Sequence, residues 1–460
     1  MAPDLNDGRG DGDGTTSERA LGEVIAVGTR PAGGGQIALA EPPRPGEPVL
    51  RWMSRANTIE GIERELTRIW AQPNLAIADA DGDGEGGRPG GRHIAARTSV
   101  MNLVVVARQP EIGERSAETI SRLTGRHPSR TLVVQSADPD GPPWIDARIQ
   151  AHCVMPRADA PETCTELIFL TAGGETGRHV FALVAPLLVH DLPVTVWWPG
   201  EAEFKSPASE ELLEATDRLV VDGNAWSGDG LARLAQMASL FDDYERLSIR
   251  DFALVRQSRW REAIATVFDQ PDFAPFLHYV RRISVTYATH DETGAPGTTN
   301  VVKPLYHVAW LASRLGMKIV SPLVADEGKG KVAAPTRGRH GIRPPMHRGL
   351  AGRLRDQTGE VAVVVRPVTS DMPPGTTLRV EILAERRGSE LRTDVTAQAE
   401  NVVVHTWLDG VQAMDRTFKA PRRSDADLLA EAIEGGGRDA LSMGTIRTAA
   451  DLVRRTGRAS

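Results

Sequence analysis

Cysteine is almost absent, with two in 460 residues, so no disulfide framework holds this chain together and the reading is a reducing, cytoplasmic protein. Aromatics are scarce at 5%, and no apolar run approaches the ~18 residues of a membrane span. No excess of basic charge exists either: 54 Lys and Arg stand against 61 Asp and Glu, a net charge of −7. Nucleic acid and membrane surfaces are therefore not the expected partners. The first residues, MAPDLNDGRGDGDG, lack the apolar core of a signal peptide. Catalytic signatures are missing as well. The chain shows no G-x-x-x-x-G-K-[ST], no G-x-G-x-x-G at a strand-to-helix turn, no G-x-S-x-G and no H-E-x-x-H. The histidines are scattered, and His152, Cys153 and Cys164 do not make a zinc spacing, so neither metal nor cofactor is expected.

What is present organises into five stretches. Residues 1–50 are rich in Gly, Asp and Pro and read as a disordered tail. Within 51–97, Ile59, Ile62, Leu66 and Ile69 form one apolar stripe on a helix, followed by the flexible segment 79–92. Asp79, Asp81 and Asp83 alternate there as in a calcium loop, but the closing bidentate Glu and the flanking helices are lacking. Residues 98–322 alternate strand and helix: MNLVVVA and TLVVQS flank a helix, WIDARIQAHCVM and CTELIFL form a hairpin, and DRLVVD and YVRRISVTYA add strands. That alternation predicts an α/β domain, a mostly parallel sheet with helices on both faces. A basic Pro/Gly-rich linker, 323–350, carries Lys329, Lys331, Arg337, Arg339 and Arg343. Residues 351–460 read as a smaller antiparallel β-rich domain with C-terminal helices, with the helix 425–434 as its cover.

The chain centres on Thr171–Gly200, TAGGETGRHVFALVAPLLVHDLPVTVWWPG. It reads as a turn, an apolar helix over 179–189 that Pro186 must kink or restart, and a central strand LPVTVWW. Gly173, Gly174, Gly177 and Arg178 join strand to helix, where either an anion site or a plain loop is expected. Trp197 and Trp198 alternate across the strand, one predicted in the core and the other at a recognition surface. Arg259, Trp260 and Arg261 are of the residue types enriched at binding hot spots.

HVFALVAPLLVHDLPVTVWWPG resembles the PLL-x-x-DLPV-x-x-WWPG core of the OpcA family, the glucose-6-phosphate dehydrogenase assembly proteins. TSVMNLVVVA, HPSRTLVV, ARIQAHC, CTELIFL, DRLVVD, RWREAIATVFD and WLASRLG follow the same family in order across 98–318. The resemblance implies a non-enzymatic effector that binds glucose-6-phosphate dehydrogenase, promotes its oligomeric assembly and activates it in the oxidative pentose phosphate pathway. A sugar-phosphate or nucleotide enzyme built on the Gly173–Gly177 loop is the alternative. Some members of that family respond to thioredoxin, so Cys153 and Cys164 invite a redox reading. Symmetric pairing of their two strands would set them opposite each other. The expectation is nevertheless that both are structural and reduced.

Overall fold

The structure, a computed structural model, describes residues 35–37, 44–71, 96–97, 99–138, 140–157, 162–290, 299–325, 349–435 and 437–454. Most of the expected N-terminal tail, the 79–92 segment and the basic stretch 326–348 lie outside the described residues. The first part of the chain contains β1 (Gly35–Gln36), β2 (Pro48–Ala56), α1 (Ile59–Ala71), β3 (Ala96–Arg97), β4 (Met101–Val106), α2 (Pro110–Ser121), β5 (Ser129–Ala137) and β6 (Trp144–Val154). It continues through β7 (Thr163–Gly173), α3 (Gly174–Arg178), α4 (Val180–Val184), β8 (Val194–Trp198), α5 (Pro207–Glu214), β9 (Arg218–Val221), α6 (Leu231–Asp243) and β10 (Ser248–Asp251). There follow α7 (Phe252–Val255), α8 (Ser258–Phe268), β11 (Val280–Thr289), α9 (Val302–Arg314), β12 (Lys318–Ala325), β13 (Leu350–Arg355) and β14 (Glu360–Thr369). The last elements are β15 (Thr377–Arg386), β16 (Ser389–Gln398), β17 (Asn401–Leu408), β18 (Val411–Lys419), α10 (Asp425–Glu434) and α11 (Ala440–Val453).

The apolar runs of β4, β5, β8 and β9 cannot leave either face in water, and they pair in parallel inside one sheet. Its strand order is β1-β2-β6-β7-β5-β4-β8-β9-β10. Taken in chain order, the six mutually parallel strands β4, β5, β7, β8, β9 and β10 therefore lie 3-2-1-4-5-6, the doubly wound arrangement of dinucleotide-binding folds. On one face Val104, Val196, Trp198 and Val221 meet α1, α4, α5 and α6. On the other, Leu103, Val105, Trp197 and Val220 meet α2, α7 and α10. The apolar helix expected over 179–189 is broken: α4 ends at Val184 and a 3₁₀ turn, Ala185–Leu187, takes over with Pro186 in its first positions. The missing proline N–H costs nothing there.

The second sheet has the order β12-β13-β14-β11-β15-β16-β17-β18 and is antiparallel except where β11 runs parallel to β14. Two expectations are corrected. YVRRISVTYA, expected among the α/β strands, becomes β11 at the centre of this second sheet. Its outward Arg282 would be unpaired between two helical layers, but it fits a sheet with one open face, where it meets Glu381. The helix 425–434 does not cover the second sheet. Its Leu428, Leu429 and Ile433 join the Trp197 face of the first, while α8 and α9 pack under the second. No helix among the described residues is long and apolar enough to cross a membrane.

Candidate functional site

Ligands of doubly wound sheets sit at the carboxyl ends of the strands where the order reverses, here between β4 and β8. In such folds the first turn carries G-x-G-x-x-G, and its last glycine allows the helix to pack closely on the strand. Gly113 stands in that last position: a Cβ there would lie 2.5 Å from Gln135 Nε2 and 3.2 Å from Val133 Cγ1. Counting back five and three residues, the positions of the first two glycines hold Arg108 and Pro110. Pro110 is the first residue of α2 and removes an N–H that a phosphate would use, and Glu111 adds negative charge to the same turn. Arg108 forms an ion pair with Glu203, beyond β8, across the crevice. Behind it, Gly200 of WWPG approaches Ile112 closely enough that a Cβ would touch Ile112 Cδ1 at 3.4 Å. Pro110, Glu111 and the half-exposed Arg108–Glu203 pair thus stand where the glycines of the fingerprint would be.

The two tryptophans that end β8 correct the expectation of one core and one recognition residue. Trp197 and Trp198 are 2% and 3% exposed. They do point to opposite faces, but both faces are covered: Trp197 lies 6.1 Å from the Phe252 ring and Trp198 5.8 Å from Phe204. Among the described residues neither indole N–H has a hydrogen-bond partner. Of the second trio, Trp260 is buried against His307, with ring centroids 5.1 Å apart. Arg259 is exposed and pairs with Glu262 at 2.6 Å. Arg261 turns inward, donating from Nη1 to the Leu254 carbonyl at 2.6 Å.

The expected glycine loop is instead a direct strand-to-helix junction: β7 ends at Gly173 and the five-residue helix α3 begins at Gly174. Space at Gly173 is filled by the Trp144 indole, and a Cβ on Gly177 would lie 2.5 Å from the Ala172 carbonyl oxygen. Arg178 faces Asp140 at 2.9 Å and Glu175 at 3.9 Å, carboxylates that would repel an anion.

Cys153 and Cys164 stand directly opposite in the β6–β7 register and are joined by a disulfide, with Cα atoms 4.0 Å apart. The expectation that they are reduced is thereby corrected: a hairpin that pairs Trp144 with Gly173 and Val154 with Thr163 has to bring the two thiols together. Glu162 lies beside the sulfurs, but the Arg51 guanidinium holds its carboxylate.

Sequence reasoning missed the seam between the sheets. Asp251 ends β10, is wholly buried, and accepts hydrogen bonds from Gly223 N, Ala253 N (both 2.8 Å) and Tyr306 Oη (2.6 Å). Burial pushes its carboxyl up to about 6, with the nearby Asp222 acting in the same direction, against the pull of those three donors. Burial likewise holds His307 well below the usual imidazole range and therefore neutral, and it brings Lys303 down to about 8 beside Arg256. Neither Arg108 nor Asp251 announces itself in sequence, because each acquires meaning only from the strand order. The spacing from Arg108 to Gly113 after MNLVVVA was the one available signal.

Two family models match the chain. Residues 120–239 match the model described as the N-terminal domain of a glucose-6-phosphate dehydrogenase subunit, and residues 247–442 match its counterpart for the C-terminal domain. No curated protein matches. Among solved structures, the transcriptional regulator Gal80p from Kluyveromyces lactis is similar at TM-score 0.40 and 10% identity, over 77% of this chain and 89% of that one. An NAD-binding oxidoreductase from Klebsiella pneumoniae is similar at TM-score 0.39 and 11% identity, over 77% and 97%. An aldose-aldose oxidoreductase from Caulobacter crescentus reaches 0.39 and 12%, over 77% and 98%. At such scores a likeness carries no argument about activity.

Proposed function

The chain belongs to the OpcA family of glucose-6-phosphate dehydrogenase assembly proteins, and from that premise we propose that it is a non-enzymatic effector of that dehydrogenase. It binds the enzyme, promotes its oligomeric assembly and raises its activity at the entry to the oxidative pentose phosphate pathway. The observation that supports this reading is the residue set at the turn after β4. Where a catalytic relative of the fold would seat a pyrophosphate, this chain has Pro110, Glu111 and the Arg108–Glu203 pair. The alternative, an enzyme using the Gly173–Gly177 loop, meets Asp140 and Glu175 at the place its phosphate would need. An effector of this kind need only favour the active conformation; a differential affinity of about 1–3 kcal/mol gives roughly 5- to 150-fold coupling.

The test titrates this chain into the dehydrogenase while following NADP reduction, with single-particle mass measurement on the same samples. The chain alone should reduce no NADP, and its addition should shift the dehydrogenase toward a larger assembly with a lower KM or a higher kcat. Unchanged kinetics and mass at a saturating excess would refute the proposal.

A further inference from the structure

We propose that a cavity between the edge of the first sheet and the two C-terminal helices binds a small phosphate-bearing anion. The cavity, about 190 Å³, lies between β10, α7 and α8 on one side and α10 and the start of α11 on the other. Two guanidinium groups enter it, from Arg250 and Arg261, together with the carboxylates of Glu431 and Asp439. The carboxylates are already engaged. Asp439 Oδ2 accepts from Arg250 at 2.6 Å and from Ser442 Oγ at 2.7 Å, while its Oδ1 accepts from Leu441 N at 3.0 Å. Glu431 pairs with Arg423 at 2.5 Å.

Arg261 is the group left over. Among the described residues its guanidinium makes one hydrogen bond, to the Leu254 carbonyl, and Glu431 and Asp439 favour its charge only from beyond ion-pair distance. A third arginine, Arg218, backs the site through the carbonyls of Ile433 and Gly435. A mostly buried guanidinium with unspent donors, beside a second one, is the arrangement that a forked oxyanion satisfies. The volume falls below the ~300 Å³ at which pockets begin to hold drug-sized ligands, so a dinucleotide is excluded and inorganic phosphate or a small sugar phosphate fits. Because one wall is made by α10 and α11, occupancy would tie these helices to the edge strand. This site is independent of the assembly reading and is tested on the chain alone, so either can fail without the other.

The experiment is calorimetric titration of the full chain with inorganic phosphate and, separately, with a hexose 6-phosphate, at constant ionic strength against chloride. Hydrogen exchange is followed over residues 437–445. Phosphate should bind with a Kd near about 1 mM or tighter and slow exchange in the first turn of α11. Tighter binding of the hexose phosphate would identify a phosphate monoester as the ligand, and equal or weaker binding would identify the free ion. Arg261→Gln should weaken either by at least about tenfold. Arg261→Lys keeps the charge without the fork, and it carries the test should the glutamine variant not fold. Absence of binding at about 20 mM, or equal binding by the folded variants, overturns the proposal.

Discussion

Along β8 every residue from Val194 to Trp198 is buried, whereas along β14 burial alternates from exposed Glu360 to buried Pro367. Both segments are rich in valine, and composition does not separate them. What separates them is the number of covered faces: the first sheet lies between two helical layers, while the second packs one face on α8 and α9 and turns the other outward. An aromatic residue therefore means different things in the two places. On β8 both Trp197 and Trp198 are packing, while on β17 the half-buried Trp407 stacks under Arg392, whose guanidinium carbon lies 4.3 Å from the ring centre. Recognition chemistry has to be sought away from the doubly covered strands.

The largest expected effect tests that difference directly. Trp197→Ala and Trp198→Ala should each cost about 3–5 kcal/mol, because each empties a closed side of the first sheet. Trp407→Ala should cost about 1 kcal/mol, since that site can re-solvate. Urea unfolding of the three variants measures all of them on one scale. A near-wild-type midpoint for either β8 variant would mean that one face of the first sheet is open after all.

A second, smaller effect falls at the seam, where the edge of the first sheet meets the helix beneath the second. Asp251, with its carboxyl near 6, holds its proton more tightly in the folded protein than in the unfolded chain, where about 4 is usual. Between those values the folded state binds more protons, so this group's contribution is fully present below about pH 4 and is lost as pH rises through about 6. Up to about 3 kcal/mol is at stake across that window. Asp251→Asn should flatten the decline in stability between pH 4 and 6 that wild type shows, as read from denaturation midpoints at a series of pH values. Parallel profiles for the two proteins would show that the carboxylate is ionised throughout, held by Tyr306 and the two backbone N–H groups.

Much of this fold could be read from the chain because its strongest signals are local. The stripe Ile62, Leu66 and Ile69 gave α1, and the near-continuous apolar runs gave the parallel strands. The hairpin symmetry that places Cys153 opposite Cys164 was also visible, although the bond between them was not expected. What stayed hidden depends on contacts distant in sequence. Nothing local in VRRISVTYAT says that it pairs with residues 362–369 rather than joining the sheet that precedes it. The helix Asp425–Glu434 has an apolar stripe that suits either sheet, and only its contact with the Trp197 face decides. The candidate site was hidden for the same reason. Arg108 and Glu203 are separated by 95 positions, and Arg250 and Asp439 by 189, so neither pair leaves a spacing to find.

The smallest expected effect is on the outward face of the second sheet. Arg282, Glu381, Arg379 and Asp394 form a ladder there, with Arg282–Glu381 and Arg379–Glu381 both at 2.7 Å and Arg379–Asp394 at 2.6 Å. The arginine side chains are 46% and 42% exposed, so water and salt screen them, and distances this short do not imply large energies. A double-mutant cycle on Arg379→Ala and Asp394→Ala should yield a coupling of no more than about 1 kcal/mol, shrinking as salt is raised. The cycle also reports on coverage. If the face were closed by a second copy of the chain, the same pair would be desolvated, and breaking it would cost about 3–5 kcal/mol with little dependence on salt. Repeating the cycle at two protein concentrations separates these cases, since only a face buried by association gives a coupling that grows with concentration.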